Sequence, residues 1–139
     1  MADIHKIGLF TLRAGRVLLC RKRALTTLIL PGGRLEADES ATACLERELR
    51  EELGDVTLAN ARYLGRYEDR AASDDPTVAK MVEIQLYSGE LHGEPVASSE
   101  IAELIWFGPD DDREQLSPIL VNHIFPDLIR RGLLPWRPA

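Results

Sequence analysis

The chain has 139 residues, of which 45% are hydrophobic and 29% are charged, and its formal net charge is -6. This composition is typical of a globular protein, and we expect residues 1–139 to form a single domain. The excess of negative charge disfavours partners that attract clustered positive charge, so we expect neither nucleic-acid nor membrane binding.

The amino terminus has no secretory pattern, and no apolar run approaches the roughly 20 residues that cross a bilayer. Cys20 and Cys44 are too few and too isolated for a disulfide framework or a metal knuckle. We interpret them as buried free thiols of a cytoplasmic protein, because thiols stay reduced in that compartment.

The chain opens with a predicted β-hairpin. Residues 4–13 and 17–23 have the composition of strands and flank the turn Ala14-Gly15-Arg16. A short apolar run at 28–30 ends at Pro31-Gly32-Gly33. The two glycines permit backbone angles closed to other residues and allow the chain to approach a ligand closely.

A helix is predicted from Glu39-Ser40 to Gly54. Ser40 is suited to the N-cap, and Gly54 to the C-cap. An apolar stripe at i+4 spacing should face the core, formed by Ala41, Leu45, Leu49 and Leu53.

Three glutamates on this helix, Glu48, Glu51 and Glu52, are spaced to lie on one face beside the apolar stripe, partly shielded from water. Carboxylate oxygens are the ligands that Mg²⁺ prefers, and Mn²⁺ is an expected substitute. The spacing therefore predicts a metal site for a substrate that carries phosphates. The alternative interpretation is a solvated helix face, with the glutamates paired to Arg47 or Arg50.

The rest of the chain predicts further strands at 56–69, 78–91 and 104–107, joined by loops at 70–77 and 92–99. An acidic loop follows at 108–114. An amphipathic helix is predicted from Ser117 to Arg131, with a kink at Pro126. This order of elements predicts an α+β fold with a mixed sheet between helical layers.

The segment 33–55 resembles the Nudix box. That motif has a glycine, five residues, a glutamate, seven residues, and then Arg-Glu-apolar-any-Glu-Glu-any-Gly-apolar. The matching positions are Gly33, Glu39, Arg47, Glu48, Leu49, Glu51, Glu52 and Gly54. One position departs from the motif, because Asp55 stands where an apolar residue is expected. The departure concerns the end of the helix and leaves the carboxylates unchanged.

The resemblance implies a small, single-domain bacterial-type Nudix hydrolase with the α/β/α sandwich of that family. It implies that Glu48, Glu51 and Glu52 bind the metal, with Glu52 the indispensable ligand, and that the Gly32 carbonyl adds a further ligand. It also implies that Arg47 orients the carboxylates and the neighbouring loop.

Two assignments stay open within the resemblance. The general base is either Glu48 or a glutamate on a later loop, for which Glu100 has the fitting position, six residues before Trp106, with Glu103 as the second choice. Glu39 either belongs to the functional box or stabilises the helix start through the helix dipole.

The expected activity is hydrolysis of a phosphoanhydride bond in an ADP-ribose-like nucleoside diphosphate derivative or a nucleoside triphosphate. The alternative is a non-catalytic Nudix module that binds a nucleotide or metabolite. Candidates for stacking on a base are Tyr63, Tyr67 and Trp106. The apolar stretch 132–136 either covers the core or contacts a second copy in a homodimer.

Overall fold

Two β-sheets form the centre of the protein in the computed structural model, which describes residues 2–72, 77 and 79–138. The strands are β1 (Ile4–Phe10), β2 (Leu12–Arg13), β3 (Arg16–Lys22), β4 (Gly32–Arg34), β5 (Thr57–Arg70), β6 (Met81–His92) and β7 (Ile101–Phe107). The helices are α1 (Ala41–Leu53) and α2 (Phe125–Arg130), and α2 directly follows a π-helical turn at Leu120–Ile124.

The larger sheet has the strand order β4-β1-β6-β5 and is mixed, since β1 runs parallel to β6 and the other pairs are antiparallel. The smaller sheet has the order β2-β3-β7 and is antiparallel. The apolar side chains form two separate clusters. Helix α1 packs on one of them, and the π-helical turn with α2 packs on the other. The predicted α+β class with a mixed sheet between helices is confirmed.

The first predicted strand, 4–13, is divided at Thr11, so the prediction of one continuous strand was wrong. β1 belongs to the larger sheet, whereas β2 pairs with β3 in the smaller one. The hairpin itself is confirmed, because Leu12 faces Val17 across it. The chain thus passes from one sheet to the other within a single residue, which hydrophobic alternation does not reveal.

The glycines after Pro31, where the short apolar run was expected to end, form strand β4. Gly32 pairs with Gly8 and Gly33 pairs with Ile7 of β1. Gly32 has φ 143°, and a Cβ built on it would lie 2.0 Å from the carbonyl oxygen of Ile7. The close approach of β4 to β1 therefore requires glycine at position 32.

Helix α1 has the predicted caps. The Ser40 Oγ accepts a hydrogen bond from the Ala43 N–H at 3.1 Å, and Gly54, with φ 80°, ends the helix. Ala41 is only half-buried. The fully buried side chains of the α1 cluster include Leu45, Leu49, Leu53, Cys44, Leu9 and Leu18. Both cysteines are free and buried, as expected.

The C-terminal helical segment runs from 118 to 130, close to the predicted bounds. Its irregularity is the π-helical turn, in which the Phe125 N–H donates to the Leu120 carbonyl five residues earlier. Pro126 has no N–H to donate, and the wider turn directly before it accommodates the proline ring. The proline thus disturbs the turn that precedes it.

The stretch 132–136 covers the core of its own chain. Leu134 and Trp136 are buried against Phe107 and Phe125. The Trp136 Nε1–H also donates to the Gly15 carbonyl at 2.8 Å. The last residues therefore close the core beside the first hairpin.

The later strands lie close to the predicted ranges. β7 begins three residues before the expected 104, because Ile101 pairs with Lys22 across a bulge at Ala102 of β7. Residues 73–76 of the predicted loop and residue 78 of the predicted strand lie outside the described residues. Within the described part of the chain, no helix is both long and apolar enough to span a bilayer.

We predict that Leu49→Ala lowers the free energy of unfolding by about 2–5 kcal/mol, because Leu49 is 1% exposed and its truncation leaves a cavity under α1. Chemical denaturation followed by circular dichroism measures the change. The control is Glu46→Ala on the exposed side of the same helix, which should shift stability by less than about 0.5 kcal/mol. Equal losses in the two variants would contradict the buried stripe.

Candidate functional site

Arg47 is the centre of a carboxylate cluster on α1. Its Nε and Nη2 donate to the two carboxylate oxygens of Glu39 at 2.7 and 3.0 Å, and its Nη1 donates to Glu48 Oε1 at 3.0 Å. Glu51 and Glu36 complete the cluster with ion pairs of 3.5 and 3.6 Å. A bidentate guanidinium–carboxylate pair is strong and directional, so Glu39 fixes the position of Arg47.

Glu39 connects the turn before α1 to the helix. Its Oε1 also accepts the Glu36 N–H at 3.0 Å. The hydrogen bond from Arg47, followed by the one from the Glu36 backbone, lowers the pKa of Glu39 to about 2. Glu39 therefore remains ionised at neutral pH and holds both the turn and the guanidinium.

Glu52 is the buried carboxylate of the site, with 3% of its surface exposed. One oxygen accepts the Gly32 N–H at 2.9 Å. Burial raises the pKa of Glu52 to about 7, against the opposing effects of the Gly32 hydrogen bond and the Lys22 charge. A cation beside Glu52 would favour its ionised form and offset the cost of burying it.

Glu48 lies against the backbone of β4. A Cβ built on Gly33 would be 2.2 Å from the carboxyl carbon of Glu48. The carboxylate of Glu48, whose exposed fraction is 16%, therefore occupies the space that a side chain at position 33 would take. Each of the two glycines of β4 thus has a glutamate of α1 as a direct neighbour.

Glu51 differs from the other two glutamates. Its side chain is 55% exposed, in contrast to the partial shielding expected from the helix geometry. Among the described residues, no group of three or more His, Cys, Asp or Glu side chains is arranged to hold a metal ion. The physical reason at this site is Arg47, which pairs with both Glu48 and Glu51 and keeps their oxygens from converging.

The loop after β6 brings Glu100 to the same region. The Ser98 N–H donates to the carbonyl of Glu52 at 3.0 Å, which ties this loop to the last turn of α1. Glu100 forms an ion pair of 3.4 Å with Lys22, and its charge also raises the pKa of Glu52. Glu103, the second choice, pairs instead with Arg21 at 2.8 Å.

The three aromatic candidates for base stacking have other contacts. The Tyr67 hydroxyl donates to Asp127 at 2.5 Å, and Tyr63 packs edge-on against Tyr87. The guanidinium of Arg13 lies 4.9 Å from the ring centre of Trp106. These contacts explain the placement of all three rings through packing within the fold.

A cavity of about 610 Å³, including its open mouth, lies between β1, β3, β6 and the start of the C-terminal helical segment. We call it the lysine cavity after its polar residues Lys6, Lys22 and Ser117. The apolar residues of its wall include Ile4, Leu25, Ile29, Leu30, Val82 and Ile84. Sequence reasoning missed Lys6 and Ser117. The available signal was the position of Lys6. It lies two residues after Ile4 and therefore on the same face of the strand, so a charged side chain was to be expected beside apolar ones.

A sequence profile of the NUDIX domain matches residues 6–123. The fold is similar to the E. coli ORF135 protein, at 24% identity over 95% of this chain and 93% of that one, with a TM-score of 0.70. It is also similar to the MutT NUDIX hydrolase from Burkholderia pseudomallei, at 26% identity over 83% and 90% of the two chains, with a TM-score of 0.69. No curated protein matches the sequence.

A further similar structure is the MutT protein from Methanosarcina mazei Go1, at 20% identity over 93% and 94% of the two chains, with a TM-score of 0.73. The profile match, together with the similarity to the Burkholderia pseudomallei hydrolase, defines the class as hydrolases that act on acid anhydrides in phosphorus-containing compounds. Because the NUDIX profile spans most of its length, the chain belongs to the Nudix family.

We predict that Gly33→Ala destabilises the protein by about 0.5–1 kcal/mol, because the added methyl group displaces the Glu48 carboxylate from its hydrogen bond with Arg47. Introducing Glu48→Ala into the same chain removes the overlap, so the cost of Gly33→Ala should become smaller in that background. Urea denaturation of the two single variants and the double variant gives the coupling. An unchanged cost in the double variant would show that the Glu48 contact does not determine the glycine.

We predict that Glu39→Gln makes the free energy of unfolding depend less steeply on pH between pH 4.5 and about 2. The folded-state pKa of Glu39, about 2, lies below its ordinary value of 4.5, so the folded protein binds fewer protons than the unfolded chain. The resulting stability is complete above pH 4.5 and is lost as the pH falls toward 2. Urea denaturation at several pH values within this window measures the slope, and a slope identical to that of the wild type would contradict the prediction.

Proposed function

We propose that the chain is a Mg²⁺-dependent pyrophosphohydrolase, which hydrolyses a phosphoanhydride bond of an ADP-ribose-like nucleoside diphosphate derivative or a nucleoside triphosphate by attack of water. The observation that carries the proposal is Glu52, a carboxylate 3% exposed on the box helix and bonded to the Gly32 backbone. A buried acid of this kind is costly to ionise without a counter-charge, and a divalent cation supplies that charge.

The residues of the site fit a hard divalent cation. The ligands would be the carboxylates of Glu48, Glu51 and Glu52 with the carbonyl of Gly32, all of which provide oxygen atoms. When bound, the cation neutralises phosphate charge, polarises phosphorus and lowers the pKa of water. Manganese is the expected substitute because it accepts the same oxygen ligands.

Arg47 has the contacts of a residue that positions the carboxylates. Since its bidentate bond to Glu39 does not involve Glu48 or Glu51, the guanidinium stays anchored when these two side chains turn away from it. Its charge also offsets the mutual repulsion of the glutamates before a cation binds. We therefore assign Arg47 to positioning, with Glu39 as its support.

Two glutamates are candidates for the general base that takes a proton from the attacking water. Glu48 is close to β4 and partly shielded from solvent, which suits a base beside the diphosphate. Glu100 lies on the loop tied to α1 and forms its ion pair with Lys22. The structure supports both, and replacing each in turn distinguishes them by the larger loss of kcat.

The wider setting of the enzyme follows the same proposal. We take residues 1–139 to be one Nudix domain, since the C-terminal segment 118–130 packs in the same core as the sheets. We expect small nucleotide-like substrates and no nucleic-acid partner, in keeping with the net charge of -6. Cys20 and Cys44, both free and buried, support a cytoplasmic location.

We predict that Glu52→Gln lowers kcat for hydrolysis of nucleoside triphosphates and ADP-ribose with Mg²⁺ by at least about 100-fold, because one charged ligand oxygen pair is lost. Product analysis by chromatography measures turnover and names the bond that is cut. The matched control is Glu46→Gln on the exposed side of α1, which should retain the activity. Undiminished turnover by a folded Glu52→Gln protein would reject the proposal.

Cation binding is tested separately by thermal unfolding. Adding Mn²⁺ should raise the Tm of the wild type, because a ligand that binds only the folded state stabilises it, and should raise that of Glu52→Gln much less. A ligand that stays intact after long incubation with the wild type and metal would instead identify a binding module.

A further inference from the structure

We propose that Lys6, which lines the lysine cavity, selects nucleotide bases that present a carbonyl oxygen, and that the Ser117 hydroxyl provides a second hydrogen bond to the base without selecting between them. The inference rests on the proposed function, because it names the substrate class of the same site. It assigns one specificity-determining residue, Lys6, outside the glutamate helix.

The cavity has the surface of a small-molecule site. Its space of about 610 Å³ includes open solvent at the mouth, so the part enclosed by protein is smaller and fits a base better than a whole nucleotide. The wall is mostly aliphatic, with Leu30 and Ile84 among its members, and only a few polar groups enter it. An apolar wall with few polar groups suits a flat ring that packs against the wall and forms hydrogen bonds along one edge.

Lys6 is a donor that the fold leaves inside this apolar wall. It lies on β1 between Ile4 and Gly8 and is half-buried. Burial, together with the neighbouring charge of Lys22, lowers the pKa of Lys6. An ammonium group only donates hydrogen bonds, so an acceptor oxygen on the ligand would compensate for the lost hydration.

Ser117 provides the second polar group. It is 3% exposed, and among the described residues its Oγ is a buried side-chain atom with no hydrogen-bond partner. Its backbone is fixed, since the Ser117 N–H donates to the Leu28 carbonyl at 3.0 Å. A buried hydroxyl without a partner is costly, and a ligand in the cavity would supply one.

Lys22 has a different role from Lys6. Its Nζ lies 3.4 Å from Glu100 Oε1, so its charge is shared with the glutamate region. The charge of Glu52 partly offsets the lowering of the Lys6 pKa by burial, and the charge of Lys22 partly offsets the raising of the Glu52 pKa by burial. Both lysines of the cavity therefore lie close to the buried carboxylate. Leu30 of the cavity wall also directly precedes the segment Pro31-Gly32 that contacts Glu52. A base in the cavity can therefore belong to the molecule whose diphosphate lies at the glutamates.

The donor set decides between bases. Uracil has a carbonyl oxygen at the ring position where cytosine has an amino group, and hypoxanthine differs from adenine in the same way. An amino group opposite Lys6 places two donors against each other and leaves the ammonium without an acceptor. Carbonyl-bearing bases should therefore be preferred in both the pyrimidine and the purine pair.

The experiment compares kcat/KM for UTP against CTP, and for ITP against ATP, with Mg²⁺. We expect the wild type to prefer UTP and ITP by at least about 10-fold, the usual cost of one unpaired buried donor. Lys6→Met should remove most of this preference, mainly by raising KM for UTP, whereas Ser117→Ala should raise KM for UTP and CTP alike, because a hydroxyl both donates and accepts. Lys80→Met, which changes an exposed lysine outside the cavity, should leave both ratios unchanged.

Inorganic tripolyphosphate separates base reading from phosphate binding. Lys6→Met should not affect its hydrolysis, whereas an equal loss for all substrates, tripolyphosphate included, would show that Lys6 serves the phosphates and would overturn the inference. Equal kcat/KM for UTP and CTP in the wild type would overturn it as well. Lys6→Gln serves as a second variant if Lys6→Met does not fold, and it should lower the UTP preference in the same direction.

Calorimetry with UMP and CMP in metal-free buffer keeps this test independent of turnover. Tighter binding of UMP, lost in Lys6→Met, supports the inference even if none of the triphosphates is hydrolysed, a result that would reject only the proposed activity. Hydrolysis of all four triphosphates with equal UMP and CMP binding would reject only the base selection.

Discussion

The close contact between the backbone of β4 and the side chains of α1 is the constraint on which the site depends. Glu52 reaches the Gly32 N–H, and Glu48 occupies the space where a Cβ on Gly33 would stand. A side chain at Gly32 would push β4 away from β1, and a side chain at Gly33 would displace the Glu48 carboxylate. The glutamates are therefore placed by a piece of backbone without side chains, which itself is held by pairing with β1.

Charge balance is the second requirement of this contact. Four acids surround the guanidinium of Arg47, and the bidentate bond to Glu39 holds that guanidinium at the helix. The arginine reduces the repulsion among these carboxylates, but Glu52 lies outside the cluster and is compensated mainly by a backbone N–H and by Lys22. The site thus contains one carboxylate whose ionisation depends on what binds beside it.

The parts of the structure that local sequence determines could be predicted. Ser40, Gly54 and the i+4 leucines specify α1, and the spacing of the box places Glu39, Arg47 and Glu48 within reach of one another. The parts that depend on distant pairing could not be predicted. The change of sheet at Thr11, the strand character of Gly32–Arg34 and the meeting of Lys6 with Ser117 each arise from contacts between segments far apart in the chain. The periodicity of apolar residues indicates which face of a helix or strand each side chain lies on, but it does not indicate which distant segment packs against that face.

The hydrogen bond from Trp136 to the Gly15 carbonyl joins residues 121 positions apart. The parallel pairing of β1 with β6 is also long-range, since it places Ile4 beside Val82. Contacts of such long sequence separation form late, because the entropy of closing the intervening loop must be lost first. During synthesis on the ribosome, Trp136 can therefore bond to the first hairpin and cover the core beside it only after residues near position 136 have emerged. β1 gains its second partner earlier, but it lacks the pairing with β6 until residues 81–92 have emerged, and its unpaired edge exposes the nascent chain to misassociation up to that point.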